Sequence, residues 1–414
     1  MAWTAWRAVW RSIRHARKEK RMGFGNDYLQ EERKAELQYW LSGDYESFCG
    51  KKKEIYLAAG KAIKDAGHTS PGHSPGGYRN ELKYAGDLEL AFRIETEEKK
   101  FRSVRKQLPA PEYAKWLQKL VRLRNQYART AGFENYLDYR YALWGIGGDV
   151  FARAASRQRK AEKTDSMELR RWLGEVSADH RLAVENQRAL FREIDECWNL
   201  NGSGIQIHDE DLPGFYIGAC VPVSIPDDVH VLINKRPGLS GFSVFMHEIG
   251  HGFYYTNIAA PDIHGRREPF NLIMEETVAL LFENQVYTDG FSREFLHTDR
   301  GMWLPKAEFQ LNYLLCCAEF EERIYRKADP DFDAEWKAAC AFTGEEEGDG
   351  WTKPHFFVSN PGYFAAYFIA AFLAKETYRY ADRESRDLFD FIRNEICSPG
   401  GTLAYEAFLE KVLP

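Results

Sequence analysis

The sequence predicts a mostly α-helical fold with one small β-sheet. Apolar residues recur at three- and four-residue spacing from about 27 to 200 and again from 241 nearly to the C-terminus, a spacing that lines one face of a helix. Between 205 and 240 this periodicity stops, and Val229 to Ile233 read as a short strand that ends in a Lys-Arg-Pro-Gly turn. The sheet is therefore expected directly before the helix 241–255.

Composition sets the broad class of the protein. The chain has 414 residues, of which 44% are hydrophobic and 29% charged, as is normal for a globular protein with a substantial core. Its seven cysteines form no C-x-x-C pair, which favours reduced thiols and a cytoplasmic location over a disulfide framework. A net charge of −6 gives no support for nucleic acid as a partner.

Three segments follow one another along the chain. Residues 1–23 predict a basic helix rich in Trp and Arg, and docking on the acidic body of the protein is favoured over contact of residues 1–21 with a membrane surface. Residues 24–200 predict an N-terminal helical lobe, and 201–414 predict a second lobe within one continuous fold. The uncharged stretch 354–374 contains two prolines and is expected to be a buried core helix rather than a membrane span.

The stretch GFSVFMHEIGHGFYY, 241–255, contains a metal-binding pattern. His247 and His251 are four residues apart, so on a helix both imidazoles project from one face, where they can reach one zinc ion. Glu248 lies beside the metal position rather than on it. Gly250 and Gly252 would let another chain segment approach closely.

A catalytic zinc site takes a third protein ligand, and the next strong helix offers candidates. The stretch PFNLIMEETVALLFENQVY, 269–287, contains the candidate acids Glu275, Glu276 and Glu283, of which the first two are adjacent. Neighbouring residues on a helix diverge by about 100°, so only one of them can face the metal. The spacing alone does not choose between them.

A third group of residues offers neutral hydrogen-bond donors. In KPHFFVSNPGYFAAYF these are His355, Tyr363 and Tyr367, and the two tyrosines share a helical face. Donors of this type can stabilise the oxyanion formed when water attacks an amide carbonyl. We therefore expect these three residues to be catalytic.

The motifs MHEIGHGFYY and EETVALLFENQV together resemble the helical metallopeptidases of the thimet oligopeptidase and oligoendopeptidase F family and the related Taq-type carboxypeptidases. Further similar stretches are LRNQYARTAGFENYLDYRY, AEFEERIY and SPGGTLAYEAFLEKV. In these families the third ligand is the Glu that begins a helix ending in Glu-Asn. That pattern selects Glu276, with Glu283 and Asn284 as the tail of the motif.

The resemblance implies a large, helical, two-lobed zincin-type peptidase with a deep central cleft, and a small β-sheet beside the active-site helix. It implies one Zn²⁺ per chain, held in the lobe 201–414 by His247, His251 and Glu276. Glu248 would activate the zinc-bound water, and short peptides would be the substrates. The stretch WLPKAE, 303–308, stands where the carboxypeptidases have an Arg motif.

The strand before the active-site helix is the predicted substrate-binding element. In related zinc peptidases the corresponding edge strand pairs with an extended peptide. His230, Leu232 and Asn234 are therefore expected to bind substrate.

Two alternatives remain open from the sequence. The same metal site could serve an amidohydrolase that acts on a small molecule or on one dedicated peptide precursor. A serine hydrolase using Ser74 in Gly-His-Ser-Pro-Gly, 72–76, is a more distant alternative, because that motif requires a preceding strand and the residues before it have a helical pattern.

Overall fold

The computed structural model describes residues 24–42, 47, 51, 87–161, 166–176, 180–200, 204–208, 218–234, 236–259, 272–298, 301–343, 349–400 and 403–413. These ranges include every residue predicted for the metal site and every predicted oxyanion donor. The predicted basic helix 1–23 and Ser74 both lie outside the described residues.

The described residues form two compact units, each assembled from separate stretches of the chain. The first unit takes in the described residues of Ala59–Lys163 and Gln310–Ile369. The second takes in those of Gly23–Ala58, Thr164–Phe309 and Ala370–Pro414. The proposed consecutive lobes, 24–200 and 201–414, stay a prediction.

Helices dominate, as the sequence predicts. In chain order the α-helices are α1 Phe24–Ser42, α2 Leu88–Val104, α3 Ala110–Thr130, α4 Tyr136–Trp144, α5 Gly148–Arg159, α6 Ser166–Val176, α7 Gln187–Trp198, α8 Gly238–Thr256, α9 Leu272–Gln285, α10 Asp289–Glu294, α11 Trp303–Arg326, α12 Phe332–Cys340, α13 Phe356–Ser359, α14 Tyr363–Arg383, α15 Leu388–Ile392 and α16 Tyr405–Val412. The mostly α fold class is thus confirmed.

One three-stranded sheet precedes α8, in the order β1-β3-β2. Its strands are β1 Ile205–His208, β2 Gly218–Ser224 and β3 Asp228–Ile233. β3 pairs in parallel with β1 and antiparallel with β2, so it is the central strand of the described sheet.

This strand order corrects the predicted substrate-binding element. His230 is paired with Gln206 on one side and Val221 on the other, and Leu232 is likewise paired on both sides. A strand with both edges occupied cannot pair with a peptide as an edge strand. The prediction of an edge strand is therefore wrong for Val229–Leu232, where β1 and β2 occupy both sides. That His230, Leu232 and Asn234 bind substrate stays a prediction.

The two faces of the sheet have different cover. Leu37 of α1 packs with Val221, Val223 and Leu232 on one face. Successive side chains of a strand point to opposite faces, so Gly218 of β2 points to the other face, towards α8, where it approaches Glu248. The sheet thus packs against α8, the helix that carries His247, Glu248 and His251.

The uncharged stretch 354–374 forms α13 and the start of α14. Phe364, Ala365 and Phe368 are buried there, which confirms the predicted core helix. No helix in the described part of the chain is both long and apolar enough to cross a membrane.

Candidate metal centre

α8 carries the two predicted histidine ligands. Pro237 precedes its first residue, and the 19-residue helix buries an apolar face that includes Phe242 and Phe253. That packing fixes how the helix is rotated. His247 and His251 consequently lie one turn apart on the same side, with ring centroids 4.9 Å apart.

A close approach between α8 and α9 brings the third predicted ligand to these histidines. A Cβ placed on Gly250 would lie 2.7 Å from Ala279 Cα and 3.0 Å from Phe282 Cβ, so the helices can be this close only with glycine at position 250. Ala279 is three residues after Glu276, one turn along α9. The glycine thus determines how near Glu276 comes to α8.

His247, His251 and Glu276 form the one group of metal-ligating side chains found among the described residues, with ligand atoms all within 4.8 Å of one another. Glu276 Oε2 lies 3.4 Å from His247 Nε2 and 3.7 Å from His251 Nε2. Two ligands of a tetrahedral zinc ion at about 2.0–2.1 Å lie about 3.3 Å apart. The three side chains therefore fit a zinc ion with little rearrangement.

The adjacent acid points elsewhere. Glu275 Oε2 accepts a hydrogen bond of 3.0 Å from Tyr255 Oη, whereas Glu276 lies in the cluster with its side chain 6% exposed. The helical divergence of neighbouring residues explains the difference. Of the two candidates, Glu276 is the one that the structure brings to the histidines.

A chain of polar side chains lies behind His247. The sequence analysis names Glu283 and Asn284 as part of the motif but does not predict their contacts or the part of Lys306. His247 Nδ1 lies 3.1 Å from Glu283 Oε2, and Lys306 Nζ donates to Glu283 Oε1 at 2.6 Å and to Asn284 Oδ1 at 2.9 Å. Glu283 is seven residues after Glu276, two turns along the same face of α9. That periodicity was the available sequence signal for Glu283; Lys306, which comes from α11, had none.

Charges around Glu283 keep it ionised. Burial opposes ionisation, but Lys306 and the hydrogen bond with His247 outweigh burial and lower the pKa of Glu283 to about 2. An ionised Glu283 accepts the Nδ1–H of His247, which leaves Nε2 as the nitrogen directed at Glu276. This arrangement fixes the tautomer and the ring orientation that a metal ligand needs.

Among the described residues, no side chain orients His251 as Glu283 orients His247. His251 Nδ1 is buried without a hydrogen-bond partner there, and its ring lies nearly parallel to that of Tyr255, with centroids 6.4 Å apart. Burial lowers the pKa of His251 to about 4. The negative charge of Glu276 opposes this shift but is the smaller effect. A neutral imidazole is the form that ligates a metal ion.

Glu248 lies next to the cluster on α8. A Cβ on Gly218 would be 2.8 Å from Glu248 Cγ, so β2 confines this side chain from the sheet side. Burial raises the pKa of Glu248 to about 7; His247 opposes the shift, and Glu276 adds to it. A carboxyl group that titrates near neutrality can both accept and release a proton.

The predicted oxyanion donors belong to the other compact unit. Tyr363 and Tyr367 are both partly exposed, with ring centroids 5.5 Å apart. His355 is exposed and packs on Phe356 at 4.0 Å. Although the residue is exposed, partial desolvation of its ring lowers the pKa of His355, and the positive charges of Arg105 and Arg102 add to that effect, so the imidazole is neutral at physiological pH.

The residues predicted to bind substrate lie in and just after the central strand. His230 contacts Asp228 Oδ1 at 2.9 Å through Nε2 and His208 Nε2 at 2.8 Å through Nδ1. Leu232 is fully buried. Asn234 follows the last residue of β3 and is partly buried.

No protein-family model matches this sequence, and no curated protein matches it. Solved structures do match its fold. A Pyrococcus furiosus carboxypeptidase superposes with a TM-score of 0.70 at 12% identity, covering 99% of this chain and 95% of that one. Trypanosoma cruzi metallocarboxypeptidase 1 gives 0.66 at 12% identity, covering 99% and 95%. An oligoendopeptidase F from Bacillus anthracis gives 0.64 at 15% identity, covering 94% and 85%.

These structures are two carboxypeptidases and an oligoendopeptidase F, the two kinds of peptidase that the motifs resemble. The chain therefore has the fold of the large helical metallopeptidases, which confirms the resemblance seen in the motifs. At 12–15% identity the likeness shows the fold alone. Conclusions about chemistry have to come from the residues of the site.

Proposed function

We propose that this protein is a zinc-dependent metallopeptidase that hydrolyses peptide bonds in short peptides. The observation that carries the proposal is the convergence of His247, His251 and Glu276, with Glu248 beside them on α8. Two imidazoles and one carboxylate are the donor set of a catalytic zinc site that keeps one position open.

A zinc ion held by these three side chains would polarise the substrate carbonyl and lower the pKa of a water molecule towards about 7. The separations between the ligand atoms support this choice, as does the orientation of His247 by Glu283. One ion per chain follows from the one cluster that the described residues form.

Glu248 is the proposed general base. It accepts a proton from the attacking water, whose oxygen forms the new bond to the carbonyl carbon. When the carbon–nitrogen bond breaks, Glu248 delivers that proton to the leaving amine, so the products are a carboxylic acid and an amine. Its place beside the ligand cluster on α8 supports both transfers.

Tyr363, Tyr367 and His355 are the proposed donors to the negatively charged oxygen of the tetrahedral intermediate. Hydroxyl and imidazole N–H groups stabilise such an oxyanion without adding a formal charge. Their partial or full exposure within their unit leaves them accessible to a substrate.

A cytoplasmic location is also proposed. Every cysteine in the described residues is a free thiol, including the buried Cys316 and Cys317. Free thiols are maintained in a reducing compartment.

The test combines metal analysis with a peptide assay. Wild type, Glu276→Gln and Glu275→Gln are analysed for zinc and incubated with a mixture of quenched fluorescent peptides. We expect about one zinc per chain in wild type and in Glu275→Gln, with both zinc and cleavage lost in Glu276→Gln. A wild-type protein that takes up no zinc would refute the proposal. Zinc without cleavage of any peptide would favour the amidohydrolase that acts on a small molecule or on one dedicated precursor.

A further inference from the structure

Two ionisable side chains of the first unit are buried against the segment that carries the predicted oxyanion donors. Arg124 of α3 lies in the stretch LRNQYARTAGFENYLDYRY, and Glu321 of α11 lies in AEFEERIY. Both side chains are fully buried. Both contact the backbone of the nine residues from His355 to Tyr363. The contact of Glu321 spans 41 residues of sequence, and that of Arg124 with Phe357 spans 233.

Arg124 holds the one-turn helix α13. Its Nη1 donates to the carbonyl oxygen of Phe357 at 2.9 Å, and its Nη2 donates to the carbonyl oxygen of Val358. The same guanidinium group contacts Tyr325 Oη at 2.9 Å and Glu98 Oε1 at 2.8 Å. The carbonyl groups of Phe357 and Val358 lie at the end of a four-residue helix and lack intrahelical partners, so Arg124 supplies the missing donors from outside.

Glu321 holds the turn that follows. Its Oε1 and Oε2 accept from the N–H of Gly362 at 3.1 and 3.0 Å. Gly362 has φ of +80°, and a Cβ there would lie 3.2 Å from Arg140 Cβ and 3.3 Å from Trp144 Cζ3. A side chain at this position would meet both a strained backbone and a close neighbour.

Gly362 directly precedes Tyr363, the first residue of α14. The Tyr363 ring packs on Phe356 with centroids 4.6 Å apart and stands edge-on to Trp144 at 6.5 Å. A change in the backbone at Gly362 would therefore move Tyr363 and the first turn of α14 that also carries Tyr367.

Buried ionisable groups of this kind add little net stability, because the desolvation cost offsets much of the attraction. What the contacts do provide is one fixed backbone arrangement, since each donor and acceptor has a single geometry that satisfies it. The segment carries the proposed oxyanion donors His355 and Tyr363, and their positions depend on this backbone arrangement.

We propose that Arg124 and Glu321 are positioning residues that set where His355 and Tyr363 present their hydrogen-bond donors. The proposal rests on the proposed peptidase function for its catalytic consequence. Its structural consequence, the fixing of the turn at Gly362, is measurable without any substrate.

The main test replaces the acceptor at position 321. Glu321→Met has nearly the same length and removes the acceptor of the Gly362 N–H, whereas Glu321→Gln keeps a carbonyl oxygen in its place. We expect Glu321→Met to lower kcat by about tenfold to a hundredfold with a smaller change in KM, because a displacement of about 1 Å costs this much. Zinc content should stay at the wild-type level, and Glu321→Gln should restore kcat to within about threefold of wild type.

The second readout is amide hydrogen exchange followed by mass spectrometry. Peptides that contain Gly362 and Tyr363 should exchange faster in Glu321→Met than in wild type or Glu321→Gln. The matched control is Glu319→Met on the same helix, since Glu319 pairs with Arg159 rather than with the segment. It should leave both kcat and exchange at Gly362 unchanged.

Arg124→Lys provides an independent variant if Glu321→Met does not fold. Lysine retains the charge but cannot reproduce the fixed fork of donors, so exchange should rise in the peptide that contains Phe357 and Val358. Wild-type kcat and wild-type exchange in Glu321→Met would overturn the proposal, as would equal losses in Glu319→Met. If wild type cleaves no peptide, the peptidase proposal fails, while exchange still decides whether Glu321 fixes the turn.

Discussion

Glu283 Oε2 lies 3.1 Å from His247 Nδ1, and Lys306 Nζ holds the other oxygen of the same carboxylate at 2.6 Å. The histidine that opens the H-E-x-x-H motif is thus oriented by an ionised carboxylate, which is itself fixed by a cation. Outer residues of this kind raise the basicity of a ligating imidazole and restrict its rotation.

Removing this support should weaken zinc binding. We expect Glu283→Gln and Lys306→Met each to lower the zinc affinity by about tenfold to a hundredfold, measured by competition with a chromophoric chelator. Glu294→Gln, an exposed acid on α10, is the control and should bind zinc like wild type. Unchanged affinity in both variants would show that Glu283 does not orient the ligand.

Enlarging Gly250 should push α9 away from α8. A methyl group there would meet Ala279 Cα at 2.7 Å, so Gly250→Ala should lower the free energy of unfolding by about 1–3 kcal/mol and reduce zinc affinity. Urea unfolding and the same chelator competition measure the two effects. In Gly290→Ala the added methyl has no atom within 4 Å, so zinc affinity should not change and the free energy of unfolding should not fall, since alanine favours a helix more than glycine does. Normal zinc binding by Gly250→Ala would contradict the role given to the close approach.

Glu248 should be needed for cleavage but not for the metal. Glu248→Gln keeps the size of the side chain and cannot accept the proton from water, so kcat should fall by at least about a hundredfold. Elemental analysis should still find one zinc per chain. Loss of zinc together with activity would make Glu248 part of the metal site and would remove its assignment as the general base.

Glu321 should make stability depend on pH. Burial raises the pKa of this carboxyl to about 8, although the Gly362 N–H and the charge of Arg124 oppose the shift. Between about pH 5 and 8 the unfolded chain has released the proton while the folded protein retains it, so the free energy of unfolding falls as pH rises, by at most about 1.4 kcal/mol per pH unit.

Glu321→Gln removes this titration. Its stability relative to wild type should therefore increase from about pH 5.5 to about pH 7.5, as measured by urea unfolding at several pH values. Glu319→Gln is the control and should run parallel to wild type. Parallel curves for Glu321→Gln and wild type would mean that the carboxyl is ionised in the folded protein throughout this range.

The features that the sequence predicts are those that depend on the spacing of residues within one helix or strand. The four-residue spacing of His247 and His251 places both on one side of α8 whatever surrounds the helix. The apolar periodicity likewise predicts the helices, and the lack of charge over 354–374 predicts a buried helix there. Choosing Glu276 over Glu275 required the family resemblance, because adjacent residues have equal claims until the rotation of α9 is known.

Other features depend on partners that are distant in the chain. Lys306 contacts Glu283 from a different helix, and Arg124 contacts Phe357, which is 233 residues away in the sequence. No residue spacing in the sequence predicts either contact. The prediction that β3 is an edge strand failed for the same reason. Val229–Ile233 was correctly read as a strand, but its position in the sheet depends on β1 and β2, which carry weaker sequence signals.

The seven-residue interval between Glu276 and Glu283 constrains the length of α9 as well as its composition. One residue inserted between them would rotate Glu283 by about 100° relative to Glu276, turning it away from His247 even though no residue of the site had been replaced. Most residues of this helix are buried and none is exposed, so packing already limits substitutions along it, and insertions and deletions between the two acids should be eliminated by selection.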